Sequence, residues 1–402
     1  MRLILPLSTF LVGFITQVST APTPSGTLAL VKDTTEFTFE YSTTKASSKN
    51  WIGIYHITGG GPDEEKQVER SLRWEYVTEA EGQIKIDPPA GAQGKYKAYF
   101  LADDGYKWLA EPIEINASGS GGNQKELKIM TYNLWHGGTK VNDYHNKQVK
   151  FLSEQLPDVI GFQEASGHHA KRLGEALGWN WHQSSADNTV GIISRHRIVT
   201  EHKDIGQASG VEIIPYDDTS KAFNFWTAHL TAYPYGPYEF CFEEKSADQV
   251  LEVEESSGRT PQITEIVEGT ASQRGSNKPF ILVGDFNAPS HLDWSSGNKH
   301  CGVSFDWPTS KIPTDAGLID SFRKIHPDPS KESGDTWSPI VKENPEGNGD
   351  EPQDRIDFIY GTDKLNVLGS EVKVAGKPQT MPNEKDNEWT SDHAVVITTY
   401  EL

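Results

Sequence analysis

Asp285 and Asn287, in the run Gly284-Asp285-Phe286-Asn287-Ala288-Pro289-Ser290-His291, follow an apolar stretch from Phe280 to Val283 that reads as a buried strand. Side chains alternate along a strand, so residues two apart share a face. Asp285 is an anion that can hold a metal ion or orient a nucleophile. Asn287 is a neutral amide that can donate to a phosphoryl oxygen. Taken alone, an Asp and an Asn at a strand end equally describe an ordinary turn.

Five further segments carry a polar group at the edge of an apolar run. In chain order they are Met130 to Trp135 with Asn133, Asp158 to Glu164 with Glu164 at its end, Thr227 to Leu230 with His229, Asp354 to Ile359 with Asp357, and Ser391 to Val396 with Asp392 and His393. With the Asp285 segment in its place, the ordered set resembles the endonuclease/exonuclease/phosphatase superfamily. That superfamily includes pancreatic-type deoxyribonucleases, abasic-site endonucleases, inositol-polyphosphate 5-phosphatases and neutral sphingomyelinases. The resemblance spans Lys125 to Leu402.

The resemblance implies a Mg²⁺ ion, for which Mn²⁺ can substitute, held by Glu164 with Asn133 beside it and Asp392 assisting. It makes His393 the base that activates the attacking water. Asp357 is then the carboxylate that orients His393 and stabilises its protonated form. Asp285 positions the nucleophile or a metal-bound water, and Asn287 donates to the transition state. His229 together with His393 matches the two-histidine branches of the superfamily, in which His229 stabilises phosphoryl oxygens or protonates the leaving group. The residue chemistry agrees with these roles. A hard divalent ion among carboxylate and amide oxygens neutralises phosphoryl charge, and imidazole suits proton transfer near neutrality. Each residue also has a plainer reading. Glu164 can be a helix-N-terminal acid, Asn133 a turn residue, His229 a core histidine, Asp392-His393 a structural dipeptide, and Asp357 the partner of Arg355 in a salt bridge.

The 402 residues give room for two or three domains, and the formal net charge is −20. A protein that grips nucleic acid normally carries a basic stripe. Here the average field repels DNA, RNA and anionic membranes, so no strong general nucleic-acid affinity is expected. A smaller phosphoester (a nucleotide, a phosphoinositide or a sphingolipid headgroup) therefore competes with the nucleic-acid substrate that is the family default. Residues 1–20 hold one Arg, an apolar stretch and a small-residue exit, the pattern of a secretory signal peptide. The mature chain is expected outside the cell, as a monomer. The two cysteines, Cys241 and Cys301, can pair in an oxidising compartment. Such a bridge closes a loop of about sixty residues, with a stabilisation of roughly 4 kcal/mol in the chain-entropy account.

Residues 21–117 read as all-β, with strands at Phe37 to Tyr41, Trp51 to Tyr55 and Lys95 to Phe100 between Gly/Pro/Asp clusters. This stretch resembles the SKICH-type immunoglobulin-like module, which implies a packing or targeting role and peripheral membrane or cell-surface contact. Residues 118–124 form a Gly/Ser linker. Beyond it, helical stripes appear at Val149, Leu152 and Leu156, at Ala170, Leu173 and Leu177, and at Ile263, Ile266 and Val267. The acidic run Glu252 to Glu255 reads as a solvated face, and His168 and His169 as an exposed helix start. Tyr233 and Tyr235 either stack on a substrate ring or pack under the disulfide. Asp320 to Arg323 and Thr336 to Ser338 read as scaffold, with a place near a pocket as the alternative for Trp337. The expected fold is α/β (α+β): a two-sheet sandwich flanked by helices over 125–402, with a smaller N-terminal immunoglobulin-like β-sandwich. The expected function is a secreted, Mg²⁺-dependent phosphoesterase acting by direct attack of water. The alternative is a noncatalytic secreted binding protein on the same fold.

Overall fold

The computed structural model describes residues 24–402 except 33–36, 58–60, 69, 90–91, 93, 118–124, 186–187 and 348. The expected signal peptide and the Gly/Ser linker lie outside the described residues. No helix among the described residues is long and apolar enough to cross a membrane.

The N-terminal β domain contains β1 (Gly26–Leu30), β2 (Thr38–Thr43), β3 (Trp51–His56), β4 (Arg73–Tyr76), β5 (Glu81–Lys85), β6 (Gly94–Leu101) and β7 (Ile113–Ala117). They form a three-stranded sheet, β1-β2-β5, and a four-stranded sheet, β4-β3-β6-β7. Alternation decides what each strand buries. Phe39 and Tyr41 of β2 pack with Ile52 and Ile54 of β3 and with Tyr96, Ala98 and Phe100 of β6 in one core. The other face of β3 puts Trp51 and Tyr55 into a separate cluster with Tyr99 and Leu101. Strand β4, Arg-Trp-Glu-Tyr, is exposed throughout and has no counterpart in the expected strands.

The remainder is a four-layer sandwich. Its strands are β8 (Glu126–Asn133), β9 (Val159–Gln163), β10 (Asn180–Gln183), β11 (Gly191–Ser194), β12 (Arg197–Glu201), β13 (Ala208–Ile214), β14 (Phe223–His229), β15 (Phe280–Asp285), β16 (Ile319–Asp320), β17 (Asp357–Gly361), β18 (Asn366–Lys373) and β19 (Val395–Glu401). One six-stranded sheet runs β10-β11-β9-β8-β19-β18 and the other β12-β13-β14-β15-β17-β16. β8 and β9 pair in parallel, as do β14 and β15; the other pairs are antiparallel. Between the sheets lie Ile129, Val159 and Ile192 from one and Val211, Phe225, Ile281, Val283 and Ile359 from the other. Both faces of these strands are buried, which explains their unbroken apolar runs.

Helices cover the outer faces: α1 (Tyr144–Gln155), α2 (His169–Leu177), α3 (Gly236–Cys241), α4 (Ala247–Ser256), α5 (Arg259–Gly269), α6 (Ala271–Arg274), α7 (Pro308–Asp315) and α8 (Ser321–Ile325). Val149 and Leu152 of α1 and Ala170, Leu173 and Leu177 of α2 pack on the first sheet, as their spacing requires. Leu156 is not helical: it caps α1 in the left-handed region at φ 48° just before Pro157. Ile263, Ile266 and Val267 of α5 pack on the second sheet. The acidic run is only partly a solvated face. Glu254 is fully buried and ion-pairs with the equally buried Arg259 at 2.5 Å, because the turn between α4 and α5 folds one back on the other. Cys241 and Cys301 form a disulfide. The α/β sandwich with its additional N-terminal β domain is the fold class the sequence implies.

Candidate active site

Topology gathers the polar strand ends along one edge of the sandwich. The parallel pairs β8/β9 and β14/β15 finish at that edge, so Asn133 and His229 stand at strand C-termini, and the register sets His229 opposite Asp285. β17 runs antiparallel to β15 and begins there, with Asp357 opposite Asp285. β19 runs antiparallel to β8, so the segment just before it brings Asp392 and His393 to the same edge. Glu164 follows β9 directly, at φ 52°. Gly284 permits the last step of β15, since a Cβ there would lie 2.1 Å from the carbonyl oxygen of Ala228.

At the centre, His393 Nδ1 and Asp357 Oδ2 are hydrogen-bonded at 2.9 Å, and His393 Nε2 lies 3.7 Å from Asp285 Oδ2. Arg355 does not take Asp357: it pairs with Asp293 and Asp320 instead. The histidine is held from behind. Its backbone N–H donates to Ser391 Oγ, Ser391 Oγ donates to the Asn133 carbonyl at 2.6 Å, and Trp389 Nε1 donates to the His393 carbonyl. Burial pushes the imidazole down, but Asp357 and Asp285 outweigh it and hold the pKa well above the usual histidine value. Asp285 is pushed up, first by burial and then by Asp357, with His393, His229 and the Asn133 amide opposing. Its Oδ1 accepts from the Asn287 backbone N–H at 2.9 Å and its Oδ2 from Asn133 Nδ2 at 2.9 Å. His229 Nε2 lies 3.7 Å from Asp285 Oδ2, and its Nδ1 is hydrogen-bonded to the Thr189 hydroxyl at 2.8 Å.

Two carboxylates face this array without fixed cations. Glu164 Oε2 accepts from the His136 backbone N–H at 2.5 Å. Burial raises the Glu164 pKa, yet that N–H and the neighbouring histidines bring it below the usual value. Asp392 is buried and its Oδ1 accepts no hydrogen bond. Burial, with Glu164 and Asp285 adding, pushes its carboxyl up to about 7 against the pull of His393. A buried carboxylate oxygen left open beside another acid fits a divalent cation, and Glu164 and Asp392 are the residues that would hold it. The tightest cluster of metal-capable atoms in the described residues is a different one, Asp285, Asp357 and His393, all within 4.8 Å of one another. It is a poor cage, because a His393 that keeps its proton on both nitrogens has no lone pair to give.

Asn133 stands beside Glu164 and Asp285. Its Oδ1 accepts the backbone N–H of Trp135 at 2.9 Å, and its Nδ2 faces Asp285 and Glu164. Carboxylates need donors and the backbone N–H needs an acceptor, so the amide has this orientation, and its oxygen keeps a second lone pair. It acts as a donor tying Asp285 to Glu164. Asn287 sits in the left-handed region at φ 50° and donates from Nδ2 to the Leu230 carbonyl at 2.9 Å. That nitrogen carries a second hydrogen, and the residue lines the cavity.

The cavity is about 320 Å³. Asn133 and Asp357 support its floor from behind, and the other six expected residues line it. Its walls were not legible in the sequence except for two tyrosines and Trp337. Trp135, His136, Tyr233, Tyr235, Tyr238 and Trp337 enclose it. Tyr233 is 63% exposed, whereas Tyr235 is buried and donates its hydroxyl to Asp354. Glu351 fixes two of the walls by accepting from Trp337 Nε1 and the Tyr238 hydroxyl, both at 2.7 Å. His168 and His169 do not line the cavity. His168 is exposed, but His169 is half-buried, and its Nδ1 accepts from Arg172. The only sequence signal for the missed walls was their position in the segments following Asn133 and His229.

The family model for the endonuclease/exonuclease/phosphatase family matches residues 130–393, and the chain belongs to that family of metal-dependent phosphoester hydrolases. An uncharacterized protein of Caenorhabditis elegans is 32% identical over 291 residues, 68% of this chain and 91% of that protein. Among solved structures, the chain is similar to TDP2 of D. rerio complexed with a single-strand DNA product, at 16% identity and a TM-score of 0.46, covering 69% of this chain and 99% of that one. It is also similar to a mannosyl-6-phosphatase of Bacteroides thetaiotaomicron, at 17% identity and a TM-score of 0.44, covering 69% and 100%.

Proposed function

We propose that the chain is a secreted, Mg²⁺-dependent phosphodiesterase in which water attacks phosphorus directly. The observation that carries this reading is the Asp357–His393–Asp285 array. His393, held protonated, donates from Nε2 to a phosphoryl oxygen. Asp285, whose affinity for a proton is raised, accepts the proton of the attacking water. The electrostatics thus favour a different division of labour from the one the resemblance implies, in which His393 is the base. The new P–O bond forms as the bond to the leaving oxygen breaks. His229 and the Asn287 amide hydrogen-bond the phosphoryl oxygens as charge develops there. A divalent cation on Glu164 and Asp392 would neutralise phosphoryl charge.

Charge supports a diester over a monoester. No lysine or arginine is among the described residues lining the cavity. A monoester approaches two negative charges near neutral pH, since its second pKa is about 6, whereas a diester keeps one. The aromatic walls offer ring faces to an organic substituent on the phosphate.

The test is hydrolysis of an aryl phosphodiester and of the matching monoester, with Mg²⁺, with EDTA, and by Glu164→Ala. Diester cleavage that needs the metal and is lost in the variant is the expected result. Preference for the monoester would overturn the diester reading.

A further inference from the structure

A second cavity, of about 400 Å³, opens on the outer face of β3 and β4 in the N-terminal β domain and shares no lining residue with the first. Strand alternation builds its walls. Trp51 and Tyr55 share one face of β3, Trp74 and Tyr76 share one face of β4, and the register sets Trp51 opposite Tyr76 and Gly53 opposite Trp74. Gly53 supplies the space: a Cβ there would lie 2.6 Å from a ring carbon of Trp51 and 2.9 Å from one of Tyr55. The rings meet edge to face, with Trp51 against Trp74 at 82°, Trp51 against Tyr106 at 81° and Trp74 against Tyr76 at 80°. In this packing Trp51 and Tyr55 are buried, whereas Trp74 and Tyr76 remain 49% and 45% exposed. Two large aromatics side by side on a short strand are costly to leave in water unless a ligand covers them.

The polar groups at the mouth decide which ligand. Asp104 pairs with Lys49 at 3.0 Å and accepts the Tyr76 hydroxyl at 2.7 Å; Arg70 and Ser71 complete the rim. An organic cation needs uncompensated negative charge beside its aromatic cage, but Asp104 is already neutralised and Arg70 repels it. An anionic headgroup would find only the exposed Arg70, because the Lys49 ammonium is already taken by Asp104. A proline-rich peptide also docks on aromatic grooves. Here, however, Trp51 Nε1 is engaged by the Gly105 carbonyl and the Tyr76 hydroxyl by Asp104, so neither of these ring donors is presented to peptide carbonyls. A neutral sugar meets every condition: its C–H faces lie on the rings, and its hydroxyls both donate to Asp104 and accept from Arg70 and Ser71. We propose that this cleft binds a neutral pyranose of a glycan.

The test is affinity electrophoresis of the full mature chain in gels containing soluble β-glucan, xylan, mannan or chitin oligosaccharide, with melting temperature as the folding control. At least one glycan is expected to retard the chain. Trp74→Ala should weaken that retention about tenfold, equivalent to about 1.4 kcal/mol, and Trp74→Tyr, which keeps a ring, should restore most of it. No retardation by any of the four, or full retention by a folded Trp74→Ala chain, overturns the proposal. Binding of a proline-rich peptide or of anionic phospholipid vesicles in place of the glycans overturns it as well.

Discussion

Two clusters of buried acids in the sandwich differ in their partners. In one, Asp293 and Asp320 face Arg323 and Arg355: Arg355 pairs with Asp293 at 3.0 Å and with Asp320 at 2.9 Å, and Arg323 pairs with Asp293 at 2.5 Å. Two carboxylates meet two guanidinium groups that never lose their charge. In the other, Asp285, Asp357, Asp392 and Glu164 face histidines, and the Oδ1 atoms of Asp357 and Asp392 accept no hydrogen bond. Arg355 and Asp357 stand two residues apart and serve different clusters. Permanent cations close a charge cluster into scaffold. Titratable partners and open oxygens leave capacity for a metal ion, a proton and a substrate.

Four changes would break or sharpen this contrast. The largest effect is expected at the site. His393→Ala should lower the aryl phosphodiesterase rate per folded molecule by about 10²- to 10⁴-fold, as loss of an acid–base group does. A rate within a factor of two of the parent would remove His393 from the chemistry. The scaffold should respond the other way. Arg355→Met leaves Asp293 and Asp320 short of a cation and should cost about 3–5 kcal/mol of stability, read from equilibrium unfolding, with little change in rate per folded molecule. Equal stability would mean the cluster is no scaffold.

Asp357→Asn should have an intermediate effect, because it takes the charge out of a hydrogen bond to a charged ring. About 1.5–3 kcal/mol of that bond should be lost from kcat, with KM little changed. A pure KM effect would assign Asp357 to binding.

The smallest effect concerns an acid between the two classes. Asp354 is buried and takes hydrogen bonds from two neutral donors, Trp294 Nε1 at 2.8 Å and the Tyr235 hydroxyl at 3.1 Å, with His300 Nδ1 3.6 Å away. Burial lifts its carboxyl from 3.8 to about 7, with those donors opposing and Asp335 and Asp293 adding. The folded state therefore binds this proton more tightly than the unfolded state. Its contribution is fully present below pH 3.8 and is lost as pH rises through about 7. Asp354→Asn, neutral at every pH, should flatten the fall of the urea midpoint across that window. Parallel profiles for parent and variant would show that Asp354 does not titrate there.

The amino-acid sequence by itself determined the local pieces. Apolar runs marked β9, β14 and β15, and helical stripes marked α1, α2 and α5, because strand and helix periods are local properties; the eight candidate site residues stood out through the order of their segments and its resemblance to the family. Tertiary structure alone decided the partners. Whether Asp357 meets Arg355 or His393, whether Asn133 presents oxygen or nitrogen, whether Glu254 is solvated or buried on Arg259, and which aromatics wall each cavity depend on side chains brought together from distant parts of the chain. In the site, residue 133 meets 285 and residue 357 meets 393. Strand register and sheet order set those meetings, and no local period encodes them.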